Sequence, residues 1–196
     1  ATGTYSVTAT ETGCTGPVGT VSVTVNPPPG TPSAASNSPV CSGLNLSLTA
    51  ATISGATYSW TGPNGYTSTS QNPVLNGVAT SDAGTYSVTA TIPGCPTSPV
   101  GTTIVTINQT PSSPSAGSNS PICSGSDLSL TASTVGGSTY TWSGPNSFTS
   151  TTQNPVISPV TTATTGTYSV TITEFGCLSP AGTVTVTVNP IPAAPV

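Results

Sequence analysis

The stretch SNSPVCSGLNLSLTA at residues 36–50 returns as SNSPICSGSDLSLTA at 118–132, and this recurrence constrains the fold more than any other feature of the chain. YSWTGPNGYTSTSQNPV at 58–74 returns as YTWSGPNSFTSTTQNPV at 140–156, and GTYSVTATIPGC at 84–95 as GTYSVTITEFGC at 166–177. Trp60 and Cys41 both recur 82 residues later, at Trp142 and Cys123. The closing third of the unit also opens the chain, as GTYSVTATETGC at 3–14. The expected organisation is therefore the final strands of one repeat at 1–26, a Pro-rich linker at 27–35, a repeat at 36–108, a linker at 109–117, a repeat at 118–189, and the start of another linker at 190–196. A chain entered in mid-repeat reads as a window on a longer array. The competing reading makes residues 1–26 a donor hairpin that completes a neighbouring molecule by strand addition.

Within each repeat the apolar residues alternate with period two, which is the pattern of half-buried strands. Leu44, Leu46, Leu48 and Ala50 share one face, Tyr58 and Trp60 another, and Tyr86, Val88 and Ala90 a third. Val184, Val186 and Val188 repeat the pattern near the end. Clusters of Gly, Pro, Asn and Ser punctuate these runs, and helical spacing is absent. About seven short strands in roughly 80 residues is the signature of a β-sandwich.

Composition then removes whole classes of function. Among 196 residues there is no Lys, Arg or His, and the four carboxylates are Glu11, Asp82, Asp127 and Glu174. Ser and Thr account for 71 positions. Without cations the chain cannot neutralise phosphate, which excludes nucleic acid as a partner and anionic lipid with it. No apolar run is long enough for a membrane helix, so direct membrane insertion is not expected. Catalysis is not expected either. The abundant hydroxyls lack a base to activate them, the carboxylates stand singly, and no cationic group is present for acid–base work or anion stabilisation. No cofactor or metal is implied: the acids do not cluster as a calcium loop requires, and the cysteines have no histidines beside them for zinc.

The segment DAGTYSV at 82–88, with LSLTA at 46–50 and Trp60, resembles an immunoglobulin-like domain. On that resemblance the fold is all-β, a tandem of immunoglobulin-like β-sandwiches. It implies that LSLTA is strand B, that Trp60 and Trp142 are the strand C tryptophans, and that Tyr86 and Tyr168 are the tyrosine-corner residues of strand F. Ala50 and Val88, and likewise Ala132 and Val170, occupy the positions of the family's core disulfide and would fill it by packing. Asp82 fits the motif, while Thr164 replaces it in the next repeat. More narrowly, the pattern SNSPVCSG…LSLTA…YSWTGPNG…QNPV…GTYSVT…GC is similar to the tandem modules of very large cell-surface proteins of gliding and related Bacteroidota. These are typically exported by the type IX system and serve as adhesins, stalks or filaments. The resemblance implies a secreted, extracellular structural protein whose partners are neighbouring repeats and identical chains in a fibre. An adhesin segment that binds surface glycans directly is the alternative. Its contacts would be Tyr66 and Phe148 beside the Gly-Pro-Asn turns, although such turns need no ligand to explain them. Asn45 and Asn108 begin N-glycosylation acceptor triplets, which are expected by chance in so Ser/Thr-rich a chain.

The resemblance also frames the five cysteines. Cys41 and Cys123 precede strand B, and Cys14, Cys95 and Cys177 follow strand F. Pairing within repeats, Cys41 to Cys95 and Cys123 to Cys177, is one option. In an immunoglobulin topology strands B and F run the same way, so Cys41 and Cys95 would lie towards opposite ends of one sandwich. At about 3.3 Å per residue that is up to roughly 50 Å, whereas a disulfide needs Cα atoms within about 7 Å. The other option is a bridge between adjacent repeats, Cys41 to Cys177, which leaves Cys14 and Cys95 with upstream partners and Cys123 with a downstream one.

Overall fold

The structure is a computed structural model that describes residues 1–194; Pro195 and Val196, the end of the stretch read as a further linker, lie outside the described residues. The described residues fall into two compact units. One comprises Ala1–Asn37, Ser47–Val74 and Ser81–Val105; the other comprises Ser38–Leu46, Leu75–Thr80 and the chain from Thr106 onward. The first full repeat contributes to both.

The opening segment holds β1 (Gly3–Val7), β2 (Thr10–Glu11), β3 (Cys14–Thr15) and β4 (Gly19–Val23). In the first full repeat β5 (Ala34–Ser36), β7 (Leu46–Ala50) and β10 (Val74–Leu75) form one sheet in the order β10-β7-β5. A second sheet, ordered β12-β11-β8-β9, joins β8 (Thr57–Thr61), β9 (Thr67–Ser68), β11 (Gly84–Thr91) and β12 (Gly101–Val105). The short strand β6 (Val40–Cys41) leaves the line of β5 and pairs in parallel with β13 (Ile107–Asn108). One strand divided between two sheets, with a Trp on the third strand and a Tyr on the sixth, is the arrangement of an immunoglobulin-like sandwich.

The second full repeat reproduces this plan. It contains β14 (Ala116–Ser118), β15 (Ile122–Cys123), β16 (Leu128–Ala132), β17 (Thr139–Gly144), β18 (Phe148–Ser150), β19 (Val156–Ile157), β20 (Gly166–Glu174), β21 (Cys177–Leu178), β22 (Gly182–Val186) and β23 (Val188–Asn189). The sheets are β14-β16-β19 and β18-β17-β20, with β20 also pairing β21 and β22, and β15 pairs in parallel with β23. Leu128, Leu130 and Ala132 from the first sheet meet Tyr140, Trp142, Tyr168, Val170 and Ile172 from the second in one buried cluster. The fold is all-β, and each full repeat is an immunoglobulin-like sandwich.

The alternation in the sequence accounts for most of this burial. Trp60, Trp142, Tyr86, Tyr168, Val88 and Val170 are fully buried, and Ala50 and Ala132 are buried as well. Leu44 departs from the expectation. It is 58 % exposed, because the strand begins only at Leu46. Its backbone serves a turn instead: its N–H donates to the Cys41 carbonyl at 3.1 Å, and its own carbonyl accepts from the Val78 N–H at 2.9 Å.

A polar clasp that alternation does not announce fastens each sandwich. The Trp60 indole donates to the Gln71 carbonyl at 3.2 Å. The Gln71 amide donates to the Ala50 carbonyl and to Thr52 Oγ1, both at 2.8 Å, while Asn72 Oδ1 accepts from the Ala50 N–H at 3.1 Å. Trp142, Gln153 and Asn154 make the same bonds around Ala132. These bonds satisfy polar groups at the sandwich edge that would otherwise be costly to bury.

The aromatic-to-turn packing explains one glycine in each full repeat. A Cβ placed on Gly62 would lie 2.5 Å from the Tyr86 ring, and one on Gly144 would lie 2.4 Å from that of Tyr168. No side chain fits between that turn and the buried tyrosine.

Candidate functional site: a disulfide between repeats

The structure joins Cys41 to Cys177, with a Cα–Cα distance of 5.6 Å and a sequence separation of 136. The bond links β6, the strand before β7 in the first full repeat, to the start of β21 in the second. Both residues belong to the same compact unit. Cys14, Cys95 and Cys123 are free thiols, so neither within-repeat pairing forms.

Local chemistry positions each half of the bond. Cys41 lies in β6, held by the parallel pairing Val40↔Ile107 and Cys41↔Asn108. The Ser42 N–H donates to the Asn108 carbonyl at 2.8 Å, and the Ser42 hydroxyl accepts from the Thr110 N–H at 2.9 Å. Cys177 sits just past a two-residue hairpin turn, Phe175-Gly176, whose φ values are 46° and 81°. Two consecutive positive φ values define the tight turn that suits the twist of paired strands. Glu174 and Cys177 face each other across it. The Asn108 side-chain amide donates to the Phe175 carbonyl at 3.0 Å, so a side chain of the first repeat also grips the backbone of the turn. The Asn108 amide nitrogen is the atom that would carry an N-linked glycan, and this contact occupies it. Cys177 is fully buried.

The remaining residues singled out in the sequence are accounted for locally. Tyr86 donates its hydroxyl to the Asp82 carbonyl at 2.9 Å, and Tyr168 donates to the Thr164 carbonyl at 3.0 Å. The tyrosine corner uses the backbone at this position, which is why Thr can replace Asp there. The Asp82 carboxylate accepts from the Asn64 amide at 2.8 Å, and Asp127 accepts from the Ser158 hydroxyl. Tyr66 and Phe148 are half-buried. Each packs edge-on against a corner tyrosine, with ring centroids 5.6 Å apart and an interplanar angle of 66°. Among the described residues no three His, Cys, Asp or Glu side chains come together. No helix of the described residues is long and apolar enough to cross a membrane.

The corner tyrosines imply an alkaline limit. Burial raises the Tyr86 phenol above the usual range, and the Asp82 charge and Tyr66 push it the same way; burial alone raises Tyr168. The fold thus holds the protonated phenol more tightly than the unfolded chain does. The stability this contributes is complete below the unfolded value of about 10 and is lost as pH rises through the raised folded values. The denaturant midpoint is expected to fall from pH 9 to pH 12, with a shallower fall in Tyr86→Phe/Tyr168→Phe. An equal slope in that double variant would place the alkaline sensitivity elsewhere.

No protein-family model matches the chain, and no curated protein matches it. Solved structures do. Murine CEACAM1b is similar at 15% identity and a TM-score of 0.46, over 82% of this chain and 100% of that one. The titin I-band fragment I67–I69 is similar at 11% identity and a TM-score of 0.46, over 96% and 75%. Three N-terminal domains of the bacteriophage RB49 outer capsid protein Hoc are similar at 19% identity and a TM-score of 0.40, over 81% and 59%. At these values none bears on function, and the immunoglobulin-like assignment stands on the strand pairing and core described above. Immunoglobulin-like sandwiches serve as structural or binding domains of multidomain proteins. A disulfide persists in oxidising, extracellular or secretory surroundings.

Proposed function

We propose that this chain is a non-catalytic structural segment of an extracellular stalk, fibre or filament at a bacterial cell surface, made of repeats fastened to one another through sulfur. The observation that carries the reading is the Cys41–Cys177 bond, which ties one sandwich to the next. Tension applied to the ends of the chain passes through this bond and bypasses the residues between it. The origin in Bacteroidota and the type IX route rest on the sequence resemblance.

Single-molecule pulling between the termini tests this directly. With the bond intact, the residues closed by a separation of 136 stay out of the extension. The fully stretched oxidised chain should be shorter than the reduced one by about 480 Å, at roughly 3.5 Å per residue. Equal lengths with and without reductant would show that the bond carries no tension between the termini and would sink the mechanical role. A glycan array probed with the intact chain separates this reading from direct glycan binding through Tyr66 and Phe148, which predicts saturable binding.

A further inference from the structure

The second full repeat carries a counterpart of the Cys41 site. Ile122↔Val188 and Cys123↔Asn189 pair in parallel, as Val40↔Ile107 and Cys41↔Asn108 do. The Ser124 N–H donates to the Asn189 carbonyl at 2.8 Å, the same length as Ser42 to Asn108. Asn189 therefore stands where Asn108 grips the Phe175 carbonyl. Cys123 and Asn189 are both exposed.

The counterpart of the inserted turn lies in the opening hairpin. Glu11 faces Cys14 as Glu174 faces Cys177, and the next pairs outward are Thr10↔Thr15 and Thr173↔Leu178. The intervening Thr12-Gly13 has φ values of 47° and 88°, against 46° and 81° for Phe175-Gly176. Cys14 is exposed. The turn before Cys95 is of another kind. Proline at 93 cannot take a positive φ, and the Cys95 N–H donates instead to the Ile92 carbonyl at 3.0 Å. Of the two free thiols that follow a sixth strand, Cys14 alone is presented in the geometry that fills the Cys41 site.

We infer that the Cys123–Asn189 site of one molecule takes the Glu11–Cys14 hairpin turn of a second copy of this chain. Asn189 donates its amide to the Thr12 carbonyl, and Cys14 and Cys123 close a disulfide. The turn and the receiving site are built of different residues, so the contact is heterologous and joins copies into rings or open chains. The bond forms by thiol–disulfide exchange with a low-molecular-weight disulfide such as oxidised glutathione. The two thiols give up two protons and two electrons, and the oxidant leaves as two thiols. The inference rests on reading Cys41–Cys177 as a link between repeats.

The whole chain is incubated in a glutathione redox buffer and run on a non-reducing gel, with peptic digests mapped by mass spectrometry, since cleavage at glutamate alone would leave Cys14 and Cys123 on one fragment. The expected result is a ladder of multimers containing a Cys14–Cys123 peptide pair. It should survive Cys95→Ser and be ended by Cys14→Ser or Cys123→Ser. Asn189→Ala should lower the equilibrium yield of the pair about fivefold, as loss of one hydrogen bond implies, while leaving Cys41–Cys177 intact. Multimers joined through Cys95, symmetric Cys14–Cys14 and Cys123–Cys123 pairs, or a yield indifferent to Asn189 would each overturn the inference. A chain that forms no ladder but still stretches short by the closed loop refutes this inference alone. A chain that stretches to full length when oxidised refutes the structural role beneath it.

Discussion

Trp142→Ala is expected to destabilise the second full repeat by about 3–5 kcal/mol, the range for deleting a large buried aromatic. Trp142 is fully buried within a cluster that includes residues from both sheets. Its loss removes the contact surface between the sheets and also leaves the Gln153 carbonyl without the indole N–H that reaches it at 3.1 Å. A domain of this size has only about 5–15 kcal/mol in hand, so the variant should sit near its unfolding threshold at 37 °C. Denaturant melts followed by circular dichroism give the number. Trp142→Phe keeps most of the volume but lacks the indole donor, so the difference between the two variants separates packing from the clasp. A Trp142→Ala loss below about 1 kcal/mol would contradict the two-layer core.

The second large effect belongs to Cys41→Ser/Cys177→Ser. Closing a loop with a separation of 136 restricts the unfolded chain by about 5 kcal/mol in the chain-entropy account, and native disulfides commonly contribute 2–5 kcal/mol. Removing both sulfurs should therefore lower global stability by several kcal/mol. Because each repeat keeps its own core, the melt should also separate into two transitions. One sharp transition at the original midpoint would show that the bond contributes neither stability nor coupling. Asn108→Ala offers a milder comparison, since it removes only the 3.0 Å bond to the Phe175 carbonyl and should cost about 1 kcal/mol.

Much of the fold was legible because period-two alternation is a local signal. Trp60, Tyr86 and Val88 announce buried strand faces through their immediate neighbours, and all three are buried. Leu44 shows where that signal overreaches. The alternation runs on past the strand end, and only the turn bonds to Cys41 and Val78 reveal that the backbone has left the sheet. The clasp of Gln71 and Asn72 around Ala50 was not legible, since its partners are 21 and 22 residues apart and polar side chains carry no periodic mark. The exact repetition of QNPV was the available clue. The cysteines were legible as a problem of placement once a topology was assumed. The distinction between Cys14 and Cys95 was not, because repeats aligned by sequence conceal that proline at 93 changes the turn.

The Cys41–Cys177 closure also bears on how such a chain would fail. If a protease nicks any peptide bond from Ser42 to Gly176, the two fragments stay tethered at the bridge. A backbone wound there does not sever the molecule, and the stretches on either side of it stay joined until the sulfur link itself is broken.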